Sequence, residues 1–251
     1  MSTTLTLLIA PDFAPERFAG WHMLNTLLQK RSGLHLRLLT PASAAEQAQL
    51  IAAGQVDAIY ANPFDAAEMI RERGFAAIAR PVGKSNEMLI ATAAGSPLAA
   101  IEDLRAGCSI ALTDNRDVKL IGLRLLEAAD LAESDIQWRA VDTYQAAARM
   151  AIKGEVDASF FLAEAFHSLS RLTQGQMKVL IESHLADITH VLLTHPRMAA
   201  QTPQFQQALL GLTGTPEGQP VLDELGITGG FAAMEAEDAE FMIDLMDTLL
   251  D

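Results

Sequence analysis

The chain has 251 residues, half of them hydrophobic and 20% charged, which supplies apolar surface for a packed core and excludes a disordered chain. A formal charge of -14 with scattered Lys and Arg excludes a phosphate-backbone partner, which needs clustered cations, but leaves a positive pocket inside the molecule open. The length suits one large or two medium domains, and two lobes fit best.

Taken from the start, Met1 to Ala10 has no basic leader region and runs into Pro11-Asp12 without a small-residue cleavage site. A cytoplasmic location is therefore expected, or a periplasmic one if a leader has been removed. No run is long enough to span a bilayer. Short apolar runs alternate with helical stretches, the pattern of α/β units with largely parallel sheets. Strands are predicted at Leu5 to Ala10, Leu36 to Thr40, Val56 to Tyr60, Glu87 to Ala93, Ser109 to Leu112, Ile136 to Ala140, Val156 to Phe161, Lys178 to Ile181 and Val191 to Thr194. The first helix, about Phe18 to Arg31, puts Trp21, Leu24, Asn25 and Leu28 on one face and stops before Gly33, a C-terminal cap. The last, Glu237 to Leu250, sets Phe241, Leu245 and Leu249 against an acidic face, and that apolar stripe reads as core. Cys108 is the only cysteine, which excludes an internal disulfide and reads as a buried structural thiol.

Glu46 to Tyr60 aligns with Ala146 to Phe160: an amphipathic helix, a Gly exit, then Val-Asp-Ala entering a strand. The copies are Gly-Gln-Val-Asp-Ala at Gly54 to Ala58 and Gly-Glu-Val-Asp-Ala at Gly154 to Ala158. Each Gly ends its helix where a left-handed backbone is cheap, and each Asp can accept backbone hydrogen bonds at the strand entrance, so Asp57 and Asp157 read as structural. Two copies are too few for a solenoid and imply two lobes. Ala91 to Pro97 and Asp187 to His190 are the expected crossings.

The segments Gly54-Gln-Val-Asp-Ala-Ile-Tyr-Ala-Asn-Pro63, Ser96-Pro-Leu-Ala-Ala-Ile-Glu-Asp-Leu-Arg-Ala-Gly107, Lys153-Gly-Glu-Val-Asp-Ala158, Lys178-Val-Leu-Ile-Glu-Ser-His-Leu185 and Thr215-Pro-Glu-Gly-Gln-Pro-Val-Leu-Asp-Glu-Leu-Gly226 follow one another in a telling order. That order resembles the substrate-binding proteins of phosphate, phosphite and phosphonate ABC transporters, members of the type 2 periplasmic binding protein fold. The resemblance covers nearly the whole chain. It implies a two-lobed α/β fold with a ligand cleft between lobes, residues 1–93 plus 191–251 forming one lobe and 94–190 the other, closing by a hinge. In that family an anion is held by hydroxyls and backbone N–H groups at the start of a second-lobe helix, expected here near Asp117. The family's Ser-Thr-Ser-Gly run is replaced by Asp117-Val118-Lys119-Leu120. Asp114, Asn115 and Asp117 read first as helix caps.

The family's aromatic after the first Val-Asp strand matches Tyr60, a His of some phosphonate binders falls on Tyr144, and an acid that pairs with a ligand amine matches Glu164. The expected lining is Tyr60, Asn62, Lys84, Asn86, Asn115, Lys119, Tyr144 and Glu164, with His184 or His190 near a crossover. The implied function is binding of a small polar solute, an oxyanion or phosphonate-like or zwitterionic compound, with no cofactor. The implied partner is an ABC permease or a cytoplasmic protein, with no nucleic acid and no membrane insertion. Two alternatives stand beside it: a cytoplasmic sensor, accessory or interaction protein with an altered or decayed pocket, and a biosynthetic enzyme on the same fold, as in an alternative menaquinone pathway.

No catalytic motif occurs, neither a Gly-x-Ser-x-Gly elbow nor a phosphate loop nor His-Glu-x-x-His, and no catalytic residue is predicted. Glu164 with Tyr144 is the one acid/base pair worth testing. His184, His190 and His195 are spaced wrongly for a helical metal pair, so no metal site is expected.

Overall fold

A computed structural model describes residues 4–13, 15–184 and 187–250. In chain order its elements are β1 (Thr4–Ile9), α1 (Phe18–Ser32), β2 (His35–Leu39), α2 (Ala44–Ala52), β3 (Ala58–Ala61), α3 (Pro63–Arg73), β4 (Ala76–Pro81), β5 (Met88–Ala93), β6 (Ser109–Leu112), α4 (Arg116–Leu126), β7 (Gln137–Ala140), α5 (Tyr144–Ile152), β8 (Ala158–Leu162), α6 (Ala163–His167), α7 (Arg171–Gln174), β9 (Met177–Glu182), β10 (Val191–Thr194), α8 (Thr202–Leu210), α9 (Gln219–Glu224), β11 (Phe231–Ala233) and α10 (Ala236–Leu250).

Contacts divide the chain into two units. One holds the residues up to Ser85 together with Thr189–Met246, the other Asn86–Ile188 with the last residues from Asp247. The first crossing therefore lies at Ser85/Asn86 rather than after Ala93, because β5 pairs with β8 and β9 and so belongs to the second sheet. The second lies at Ile188/Thr189, inside the expected crossing of Asp187 to His190.

In the first unit the strands run β11-β4-β10-β3-β1-β2. β1 is parallel to β2 and β3, whereas β10 is antiparallel to β3 and β4, and β11 to β4. The second sheet, β7-β6-β8-β5-β9, repeats the scheme: β6 is parallel to β7 and β8, and β5 antiparallel to β8 and β9. The expectation of largely parallel sheets is thus corrected to mixed ones. The strands next to the crossings, β5 and β10, enter without a preceding crossover helix, and a parallel partner requires one.

Each unit has its own core. In the first, Trp21, Leu24 and Leu28 of α1 pack with Phe205 and Leu209 of α8 and Leu222 of α9 over β1. Side chains of this size contribute about 1.5–3 kcal/mol each when fully buried. Gly33, at φ 71°, closes α1 by donating its N–H to the Gln29 carbonyl. In the second, Val118, Ile121 and Leu126 of α4 pack with Ile110, Met88 and Phe160, and Cys108 lies in the same cluster. Burial, followed by the nearby Asp157 charge, pushes the Cys108 thiol up, so it stays protonated. A Cβ on Gly122 would overlap the Phe160 ring, so glycine is what lets α4 approach β8.

The expected face of α10 is corrected. Phe241 is 59% exposed, and the buried stripe is Ala239, Met242, Ile243 and Met246. Leu245 is partly buried, and Leu249 lies outside the described side chains.

The repeated Gly-x-Val-Asp-Ala units form matching braces. Asp57 Oδ2 accepts the Thr6 N–H at 2.7 Å and its hydroxyl at 3.0 Å. Asp157 Oδ2 likewise accepts the Ser109 N–H at 2.7 Å and its hydroxyl at 2.8 Å. In return the backbone N–H of each Asp donates to that same hydroxyl, at 3.1 Å in both units.

Candidate ligand-binding site

Open α/β sheets bind ligands beyond the carboxyl ends of their parallel strands. In the first unit that edge comprises the ends of β1, β3 and β4. The start of β10 joins it, because Val191 pairs with Ala61 in antiparallel register. Four sets of polar groups project from it: Asp12 after β1, Asn62 after β3, Lys84 after β4 and His190 before β10.

His190 Nε2 stands 3.0 Å from Asp12 Oδ2, the two side chains being 19% and 23% exposed. The His190 ring lies flat on Tyr60, centroids 5.0 Å apart and planes 19° apart. Tyr60 rests in turn on Trp21 at 4.9 Å, and Phe13 meets Trp21 edge-on at 6.2 Å. Burial pushes the Asp12 carboxyl up. The charge and hydrogen bond of His190, helped by backbone and by the Asn62 amide, more than offset this and hold it below the ordinary carboxylate range. Asp12 is therefore ionised at neutral pH and favours an imidazolium beside it.

Asn62 is first a helix cap. Its Oδ1 accepts the Asp65 N–H at 2.9 Å, while its Nδ2 donates to Asp65 Oδ2 at 2.9 Å. Gln47 donates to that same oxygen at 2.6 Å. Lys84 is half-buried in the loop that leaves β4.

In the second unit the corresponding edge comprises the ends of β6, β7 and β8. The start of β5 and the end of β9 join it, since Met88 pairs with Leu162 and Leu89 with Glu182. Asn86 is 7% exposed, and its Nδ2 donates to Asp117 Oδ2 at 2.9 Å. Its N–H donates to the Ile188 carbonyl at 2.7 Å. Asn115 caps α4, its Oδ1 accepting the Val118 N–H at 3.1 Å. Asp117 is thus not the cap: it lies one residue inside the helix and is 3% exposed.

Lys119, expected in the lining, has its charge engaged within its own unit. Its ammonium pairs with Glu133 at 2.5 Å and lies 5.5 Å from the centre of the Trp138 ring. Two residues on from Asp117, it is turned about 200° around the helix, so the two side chains leave opposite faces. Tyr144 opens α5 and tilts on Phe161 at 6.0 Å, Glu164 is exposed in the first turn of α6, and His184 is exposed after β9. These three lie along the second unit's carboxyl edge.

The histidines also separate. His190 faces Asp12, His184 is exposed, and His195 accepts the Arg197 N–H at 3.1 Å. Among the described residues no group of three His, Cys, Asp or Glu has metal-binding geometry. Sequence reasoning missed Asp12, whose one signal was an acid directly after an apolar strand, and took Asp117 for a cap.

The model of the family described as "ABC transporter, phosphonate, periplasmic substrate-binding protein" matches residues 7–239. No curated protein matches the sequence significantly. Among solved structures, PhnD1 of Prochlorococcus marinus in complex with methylphosphonate superposes with a TM-score of 0.80 at 11% identity, over 98% of each chain. A Xanthomonas citri protein bound to chloride gives 0.77 at 18% identity, covering 100% of this chain and 99% of that one. The periplasmic aliphatic sulphonate binding protein SsuA of Escherichia coli gives 0.64 at 18%, covering 99% and 88%. At these identities the structures speak for the fold, which is that of the periplasmic binding proteins. The family match, spanning most of the sequence, carries the assignment: this chain belongs to the periplasmic substrate-binding proteins of phosphonate ABC transporters.

Proposed function

We propose that the protein captures a small anionic solute for an ABC-type permease. The observation that carries this reading is the Asp12–His190 pair, laid on Tyr60 and Trp21 at the carboxyl edge of the first sheet. An ionised Asp12 favours the imidazolium, and Tyr60 fixes the ring's plane, which gives an orientable cation suited to an oxyanion. Family membership supports capture for transport rather than catalysis. The solved relatives with methylphosphonate or named for sulphonate support a tetrahedral oxyanion as the solute class.

The test is a thermal-shift and calorimetric screen of methylphosphonate, phosphate and methanesulfonate. A ligand that binds only the folded state adds about 2.7 kcal/mol of stability at a hundredfold excess over Kd and so raises the melting temperature. His190→Ala should abolish most of the rise. Absence of a shift with every oxyanion sinks the reading.

A further inference from the structure

The groove between α2 and α3 of the first unit holds an orphaned acceptor. Ala44, Gln47, Ala48 and Ile51 recur at helical spacing along α2, and Asp65, Glu68 and Met69 do so along α3, so the two stripes line one cavity of about 100 Å³. Gln47 in its wall is 3% exposed. Its Nε2 donates to Asp65 Oδ2, which fixes the orientation of the amide, since a carboxylate only accepts. Gln47 Oε1 is thereby left buried with no hydrogen-bond partner among the described residues. A buried acceptor left so costs its full desolvation unless a ligand brings the donor.

The surroundings specify the chemistry of that donor. The Gln47 and Asn62 amides both donate to Asp65 Oδ2, which leaves Oδ1 open to a further donor. Glu68, about one turn further along α3, adds an exposed carboxylate at the rim. Three acceptors carrying two negative charges match the three N–H donors of one ammonium. A water in the same space can donate to Gln47 but brings no charge to the two carboxylates. Beyond them the lining is apolar, with Ala48, Ile51 and Met69, which suits a short alkyl chain. Arg73, the cation of the lining, comes eight residues after Asp65, about 12 Å along the helix axis, and so marks the other end of the cavity.

We propose that this cavity binds a small primary alkylammonium, at a site of the first unit separate from the Asp12–His190 pair. The ammonium donates to Gln47 Oε1, Asp65 Oδ1 and the Glu68 carboxylate, and its chain lies along Ile51 and Met69.

The experiment is an NMR titration of the isotope-labelled full chain with n-butylammonium chloride at about 0.15 M salt, which screens loose attraction to a chain of charge -14. The Gln47 side-chain amide resonance should shift with a dissociation constant of about 1 mM. Tetramethylammonium, which carries the same charge and no N–H, should bind at least about tenfold more weakly. Glu68→Gln, at an exposed position, and Gln47→Met, which keeps the volume without the acceptor, should each weaken n-butylammonium about fivefold or more. A Gln47 resonance that stays in place up to about 20 mM amine overturns the inference and leaves the cavity to water. Equal binding of tetramethylammonium overturns it too, as does an unchanged affinity in Glu68→Gln, the variant that decides if Gln47→Met does not fold. Tighter binding of Nα-acetyl-lysinamide than of n-butylammonium would assign the site to a lysine of a protein partner and overturn the free-amine reading. None of these outcomes touches oxyanion capture, which rests on His190 and is read with its own ligands.

Discussion

Asp57 and Asp157 brace their strands through the same atoms, yet Asp57 is also gripped by Arg197, whose Nε donates to Oδ1 at 2.6 Å. Asp157 has no basic partner among the described residues. At the other end of the sheets the units differ more. The first offers stacked rings and an Asp–His pair, the second a buried amide–carboxylate pair at the start of a helix. The amino ends of the strands keep the duplicated design because it only has to hold strands in register. The carboxyl ends, without that task, are free to diverge.

That contrast can be broken most forcefully at the braces. Asp57→Ala removes two Thr6 bonds and strands Arg197, and it should cost about 2–3 kcal/mol of unfolding free energy. Asp157→Ala, which lacks the arginine, should cost about 1–2 kcal/mol. Equal losses in matched denaturant melts would show that the arginine adds nothing.

A smaller effect concerns the carboxyl edges. Tyr60→Phe keeps the His190 stack and should change oxyanion affinity by less than about threefold, while Tyr60→Leu removes an aromatic contact worth about 1 kcal/mol and should weaken binding about fivefold. Identical affinities for the two variants would detach the stack from ligand binding.

Acid titration sharpens the comparison further. The folded Asp12 carboxyl titrates below its unfolded counterpart, so its contribution to stability is complete above the unfolded value, about 3.9, and disappears as the pH falls through the lower folded value. Asp12→Asn should therefore flatten the acid limb of the stability profile. An acid limb identical to wild type would remove Asp12 from the account. The smallest effect is expected at Lys119. Its pair with Glu133 is partly solvated, so Lys119→Ala should cost no more than about 1 kcal/mol and leave ligand affinity alone.

Much of this was legible in the sequence. The nine predicted strands all form, within about two residues at each end, because apolar runs bounded by turn residues are a local signal. β4 escaped since Ala76-Ala77-Ile78-Ala79 has little strand propensity and ends at Pro81, and β11 escaped because three residues carry no period. The face of α10 was misread because Phe241 and Leu245 match a helical spacing as well as Ala239, Met242, Ile243 and Met246 do. The residues of the carboxyl edges were legible because helix caps follow strand ends in the sequence itself. Their chemistry was not, since Asp12 and His190 are 178 residues apart and only folding brings them to 3.0 Å.

Tyr60 ends this comparison with a practical asymmetry. The same ring is a member of the first unit's core cluster and the floor on which His190 lies. A substitution there also perturbs the core, so any change in affinity has to be read beside the change in stability. Asn86 and Asp117 belong to no apolar cluster of their unit, so the polar pair at the second carboxyl edge is held by hydrogen bonding rather than by core packing.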